Sequence, residues 1–215
     1  MYFGFILFAA LANGAIAAST FTTQFGGDER SGGNIFEIVA KTKPIAVTGL
    51  SINIDNGTGK IKVEARPGPG RVVDLNDDGW IVINSFPGVT GQGRNKLTSL
   101  PDFDVPVLIP AGTKLAFYVT TSPDYAPGGI WSNMGSSLGS AYASNDDLEV
   151  AEGYAAESAD GHITWTYPRR WNGAIRYSVS NDQPTSSTAP TETPADIPKV
   201  HNRACFFRLC LFAMK

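Results

Sequence analysis

Apolar and polar residues alternate with period two along most of the chain. Leu50, Ile52 and Ile54 fall on one face of an extended segment, with Ser51 and Asn53 on the other. Ile61, Val63 and Ala65 repeat the pattern, as do Leu115, Phe117 and Val119, and then Ile175, Tyr177 and Val179. Short apolar runs occur at Ile35–Ala40, Trp80–Ile83 and Val105–Ile109. Between these segments stand clusters of Gly, Pro, Asn and Asp, such as Asp55-Asn56-Gly57, Pro67-Gly68-Pro69-Gly70, Pro110-Ala111-Gly112 and Pro127-Gly128-Gly129. No window of this body keeps an apolar pattern at helical spacing for three turns. Many short strands separated by turn chemistry predict an all-β fold, an antiparallel β-sandwich of jelly-roll or Greek-key type. The segment Ile52–Val63 around Asn56-Gly57 predicts a hairpin closed by a type I′ turn. Asn56-Gly57-Thr58 is also an N-x-T sequon, so Asn56 is a candidate glycosylation site at the tip of that turn.

The ends of the chain break the alternation. Residues Tyr2–Ala12 are almost wholly apolar, and Ala15-Ile16-Ala17 then supplies an A-x-A cleavage pattern. Residues 1–17 therefore read as a signal peptide, although the usual basic residues before the apolar core are missing. The apolar run is short of the ~20 residues that cross a bilayer, so an uncleaved anchor is the lesser reading. Residues 18–180 form the predicted β-sandwich domain. Residues 181–198 are rich in Pro, Ser and Thr and predict an extended linker. Residues 199–215 are a basic apolar tail, interrupted by Arg208 and ending in Lys215. They read as a truncated or mispredicted chain end ahead of a lipid-anchor signal.

Charge narrows the function classes. Between Ala18 and Pro198 there are 13 basic and 20 acidic residues. An acidic body without clustered Lys and Arg argues against nucleic-acid binding. The pairs Lys41/Lys43 and Lys60/Lys62 read as solvent-facing strand positions. Cys205 and Cys210, both in the tail, are the only cysteines. The body therefore holds no disulfide and no Cys-based zinc site, and its size suffices for a core without either. The signal peptide predicts a secreted protein, extracellular or at the cell surface, with no membrane span in the mature body.

Several stretches carry a resemblance. Phe21-Thr22-Thr23 with Gly32-Gly33-Asn34-Ile35-Phe36-Glu37-Ile38 is followed by Val47-Thr48-Gly49-Leu50-Ser51-Ile52-Asn53-Ile54 and Ala116-Phe117-Tyr118-Val119-Thr120-Thr121. Tyr142-Ala143-Ser144-Asn145-Asp146-Asp147-Leu148 and Arg170-Trp171-Asn172-Gly173-Ala174-Ile175-Arg176-Tyr177 complete the set. Together they resemble a secreted β-sandwich domain of bacterial and algal extracellular proteins. The resemblance spans about Thr20 to Val179 and implies an extracellular sandwich. It implies no catalytic residue, because that family has no settled activity.

Candidate chemistry comes from four motifs. Asp74, Asn76 and Asp78 with Gly79 match the first half of an EF-hand loop. Ser85 stands where the bidentate Glu belongs, and a strand follows where a helix is needed. A looser structural Ca²⁺ site on Asp74, Asn76 and Asp78 stays open beside a solvated acidic turn; no other cofactor is expected. Gly135-Ser136-Ser137-Leu138-Gly139 matches G-x-S-x-G, but that motif needs a strand-to-helix elbow, and no helix is readable after Ser137. Asp147-Leu148-Glu149-Val150-Ala151-Glu152 is spaced like the acid pair of jelly-roll glycoside hydrolases, with Asp147 as nucleophile and Glu152 as acid/base. Alternation brings Glu152 beside Asp147 and Glu149 only across a bulge. The bland reading makes Asn145-Asp146 a turn and Leu148 and Val150 core residues.

The aromatics are the fourth. Trp165-Thr166-Tyr167 puts two rings on one strand face, and Tyr125 and Trp131 flank Pro127-Gly128-Gly129 in a loop. Rigid rings with a few polar groups bind sugars, and Tyr125 and Trp131 are the candidate ligand contacts. Trp171 reads as structural. Three function classes follow, in order: a non-catalytic module for adhesion to, or binding of, an extracellular polysaccharide or surface protein; a passive structural unit; and a glycoside hydrolase using Asp147 and Glu152.

Overall fold

A computed structural model describes residues 18–68, 79–121, 129–159 and 162–179. All the described regular structure is antiparallel strand, and the described residues contain no helix. The fold is the predicted all-β sandwich. One sheet has the order β1 (Ala18–Thr22), β14 (Gly173–Val179), β4 (Ile45–Asn53), β7 (Leu97–Ser99), with β8 (Val107–Ile109) also pairing β4. The larger sheet runs β2 (Glu29–Ser31), β10 (Ile130–Met134), β13 (His162–Trp171), β12 (Leu148–Ala159), β3 (Gly33–Ala40), β9 (Lys114–Thr121), β5 (Gly57–Pro67), β6 (Ile81–Gly91). The short β11 (Ala141–Ser144) pairs with β12.

The period-two pattern marks the faces correctly. Leu50, Ile52, Ile61, Val63, Phe117, Val119 and Ile175 are fully buried between the sheets. Phe36 lies at the centre, its ring 4.0 Å from that of Trp171 and nearly parallel to it, with Phe117 at 5.9 Å on a second contact. Trp171 is thus a core residue, as its sequence context predicts. The chain passes from one sheet to the other immediately after it. A Cβ on Gly173 would lie 2.2 Å from Cζ2 of Trp171 and 2.4 Å from the Ser51 carbonyl oxygen, so the crossing requires glycine.

The expected hairpin at Ile52–Val63 is not one. β4 belongs to the smaller sheet, whereas β5 pairs with β6 and β9 in the larger. Asn56-Gly57 is instead a corner between sheets, and the type I′ geometry is absent: Gly57 has φ of 132°, but Asn56 is not in the left-handed region. The physical reason is that alternation records which face of a strand is apolar and says nothing about its partner. The neighbouring Ile54 bridges Ile130, and Asp55 N–H donates to the Gly129 carbonyl at 3.1 Å, which pins the corner to β10.

Two bulges break the alternation inside the larger sheet. The register of β12 against β3 shifts between Ala151 and Tyr154, and that of β13 against β12 shifts opposite Gly153 and Ala155. Val150 joins the core, whereas Tyr154, four residues on, does not. Trp171 joins it too, whereas Trp165, six residues earlier, packs on Tyr118 and Tyr154. Strict alternation would put both members of each pair on one face. The bulges send Tyr154 and Trp165 to the outer face instead.

Candidate functional site

The outer face of the larger sheet carries a row of five rings. Trp80, just before β6, meets Tyr118 of β9 at 5.6 Å between centroids. Tyr118 meets Trp165 of β13 at 5.7 Å. Trp165 meets Tyr154 of β12 edge-on at 6.3 Å, and Tyr154 meets Tyr167 at 5.2 Å. Trp165 and Tyr167 therefore share one face, as their two-residue spacing predicts. Small residues let these rings touch. Ala156 pairs with both Trp165 and Gly33, and Gly33 pairs with Thr120. The rings of Trp165 and Tyr118 lean over Ala156 and Gly33 and meet above them. A Cβ on Gly33 would come within 2.8 Å of Thr120 Cγ2 and 3.0 Å of Tyr118 Cε2. Under the roof lies Ile35, 1% exposed, which pairs with Tyr154 on one side and Tyr118 on the other.

The row is graded in exposure. Tyr154 is buried, Trp80, Tyr118 and Trp165 are half-buried, and Tyr167 is 62% exposed. Burial, and then the nearby Glu64 carboxylate, push the Tyr118 phenol well above the ordinary tyrosine range, so it remains a neutral hydroxyl. Charges flank the row in pairs. Lys62 meets Glu64 at 3.0 Å, Lys114 meets Glu37 at 2.7 Å, and the Arg66 guanidinium lies 5.5 Å from the Trp80 ring centre. A line of aromatic faces edged by neutralised charge can take an apolar ligand face by stacking.

Trp131 occupies a different place, at the rim beside the inter-sheet corner. Its indole Nε1 donates to Asp55 Oδ1 at 2.6 Å, and the Arg94 guanidinium covers its ring at 4.3 Å. Arg94 is itself held by the Gly27 carbonyl through Nε at 2.9 Å and Nη2 at 2.7 Å. Arg30 reaches the second Asp55 oxygen at 3.2 Å. The half-buried Trp131 is thereby fixed within its own polar cluster. Its expected companion Tyr125 lies outside the described residues, as do Asp74, Asn76 and Asp78. Among the described residues no three His, Cys, Asp or Glu side chains converge as a metal-ligand set. Asn56 is exposed at its corner, with Thr58 also exposed beside it.

The Gly/Ser loop and Glu152, one member of the acid pair, turn out to be parts of one lock. Glu152 is 1% exposed and sits in the β12 bulge. Its Oε2 accepts the backbone N–H groups of Ser136 at 2.6 Å and Ser137 at 2.7 Å. Its Oε1 accepts the Ser136 hydroxyl at 3.1 Å and Arg170 Nε at 2.7 Å. Burial opposes ionisation of this carboxyl, but the hydrogen bonds from Arg170, Ser137 and Ser136 outweigh it and hold Glu152 below the ordinary carboxylate range. A Cβ on Gly135 would fall 2.5 Å from Glu152 Oε2, so the glycine clears the way for the carboxylate. Asp147 has another partner altogether: its Oδ2 accepts the Tyr177 hydroxyl at 2.8 Å. Glu149 lies 3.9 Å from Lys41. Asn145 Oδ1 accepts the N–H groups of Asp147 and Leu148, closing the turn that the bland reading expected, and Leu148 and Val150 are core residues.

The sequence indicated Trp165 and Tyr167 as a pair but did not join them to Tyr118 and Tyr154. Tyr118 was within reach, because it stands out of phase with Leu115, Phe117 and Val119 and so must face outward. Tyr154 was not, because its face depends on the bulge at Glu152-Gly153.

No protein-family model and no curated protein sequence matches the chain. Among solved structures, the chain is similar to the cysteine protease and lectin-like domains of Cwp84, a surface layer associated protein of Clostridium difficile, at 11% sequence identity and a TM-score of 0.43. That match covers 76% of this chain and 36% of the other, so the chain spans little more than a third of that protein's length.

Proposed function

We propose that the chain is a non-catalytic extracellular binding module whose ligand is carbohydrate, taken on the aromatic row of the larger sheet. The observation that carries this reading is the contiguity of Trp80, Tyr118, Trp165, Tyr154 and Tyr167 on one outer face, with Tyr167 left 62% exposed. Such rings offer apolar faces at little cost in side-chain entropy, which suits stacking on sugar rings. The extracellular part rests on the leader-like N-terminus. The non-catalytic part rests on the carboxylates. Glu152 is solvent-excluded and held ionised by four donors, which is the opposite of a general acid poised to give up a proton. Asp147 is engaged with Tyr177 and not with Glu152.

A glycan array probed with the wild-type protein and with Tyr167→Ala tests the reading. Tyr167 is exposed enough for its removal to leave the fold intact, which near-UV circular dichroism checks. Binding to at least one glycan that falls about tenfold in the variant is the expected result. Binding unchanged by Tyr167→Ala and Trp165→Ala moves the site elsewhere. No binding to any glycan favours the passive structural unit.

A further inference from the structure

The aromatic row has a direction, and its surroundings have a charge state. Resting on the glycan-binding reading, we infer that the ligand is an uncharged, unbranched polysaccharide whose chain lies across the strands, so that the face grips the interior of a polymer. The direction comes from the sheet order. Tyr167 and Trp165 belong to β13, Tyr154 to β12, Tyr118 to β9, and Trp80 precedes β6. Trp165 reaches Trp80 in two steps through Tyr118, at 5.7 and 5.6 Å, and Tyr167 stands two residues along β13 from Trp165, roughly 7 Å further, so the track is at most about 18 Å. That is the length of several sugar rings, not of one. The rings follow each other without a gap, at 5.2 to 6.3 Å between centroids and tilted 53 to 83° to one another; with Tyr154 buried, a chain laid along them meets Tyr167, Trp165, Tyr118 and Trp80 in turn. The exposed Tyr167 at the β13 end leaves that end open for the chain to continue.

The charge argument excludes ionic polymers. Among the described residues of this face, Glu64 has Lys62, Glu37 has Lys114 and Glu149 has Lys41. Arg66, from the same face of β5, is drawn to the Trp80 ring. A sulfated or uronic chain would have to break these pairs or draw on Lys60 and Arg66 at the β5 side alone, and would bring its own desolvation cost. A neutral chain leaves every pair in place.

Affinity electrophoresis of the full chain tests this with β-1,4-glucan, β-1,3-glucan, β-1,4-mannan and β-1,4-xylan in the gel, alongside polygalacturonate and dextran sulfate. The inference expects retardation by at least one neutral polymer, unaffected by 0.5 M salt on the order of a 4 Å Debye length, and none by the charged polymers. Titration with oligosaccharides of the retarding polymer should then show affinity rising about tenfold or more from disaccharide to hexasaccharide. Tyr167→Ala should lower hexasaccharide affinity about tenfold and leave disaccharide affinity nearly unchanged. Retardation by charged polymers only, or equal affinity for mono- and hexasaccharide, overturns the inference while leaving carbohydrate binding in place. Retardation by no polymer overturns both and favours the passive structural unit.

Discussion

Glu152→Gln isolates the lock between the β12 bulge and the Gly135-Ser136-Ser137 loop. The side chain keeps its size and loses one acceptor and its charge. Both carboxylate oxygens face donors, the two backbone N–H groups on one side and Ser136 Oγ with Arg170 Nε on the other. Whichever way the amide turns, its NH₂ opposes at least one donor. Arg170 is one-third exposed and can turn to water, which takes the cost below the 3–5 kcal/mol of breaking a fully buried pair. With the amide oxygen turned to the two backbone N–H groups, the NH₂ can donate to the Ser136 hydroxyl and Arg170 Nε loses its acceptor, at about 1–3 kcal/mol for an unsatisfied group. The expected loss is therefore about 2 kcal/mol at pH 7, read as a lower urea midpoint at unchanged slope. The pH dependence carries a sign. The folded Glu152 titrates below its unfolded value, so its contribution is complete above that value, about 4.3, and is lost as pH falls through the folded pKa. The gap between wild type and variant should close in acid and stay constant from pH 6 to 8. A loss under about 1 kcal/mol at pH 7, or a gap that does not shrink in acid, would refute the lock.

Gly173→Ala should cost about 3 kcal/mol or prevent folding, because the new methyl meets both Trp171 and the Ser51 carbonyl at the crossing between sheets; thermal melting checks it. Burial raises the phenols of Tyr118, Tyr142 and Tyr177, with Glu64 adding to the first and the hydrogen bond to Asp147 adding to the last. Their unfolded pKa is about 10, so stability should fall as pH rises above 10, and absorbance at about 295 nm should show Tyr118 and Tyr142 ionising only as the chain unfolds. Smooth ionisation of every tyrosine near pH 10 in the folded protein would contradict it.

The sequence reading reached the faces of the strands and missed their neighbours. Leu50, Ile52, Phe117, Val119 and Ile175 were assigned to the core from alternation alone, because period two is the geometry of the pleat itself. Ile52–Val63 failed as a hairpin because strand pairing is a long-range choice, and Asn-Gly serves a corner between sheets as readily as a tight turn. The candidate site was half legible. Trp165 and Tyr167 show their common face in their spacing, but the row they join is assembled through two bulges that no local pattern announces. The expectation that Glu152 needs a bulge was sound in its geometry. The bulge is present, yet it delivers the carboxylate to a loop lock with Ser136, Ser137 and Arg170, and Asp147 points to Tyr177.

The pairing of β1 with β14 has a mechanical consequence. The two strands run antiparallel, with Ala18 opposite Ser178 and Thr22 opposite Ala174, so residues 18 and 179 emerge side by side. Tension applied through those two points does not shear the strands along their length. It parts them like a zip, straining one rung at a time, because rungs in an antiparallel ladder stand perpendicular to the strands. A domain tethered at both places would yield at the first strand under modest force, while the nine-stranded sheet and its aromatic face stayed assembled.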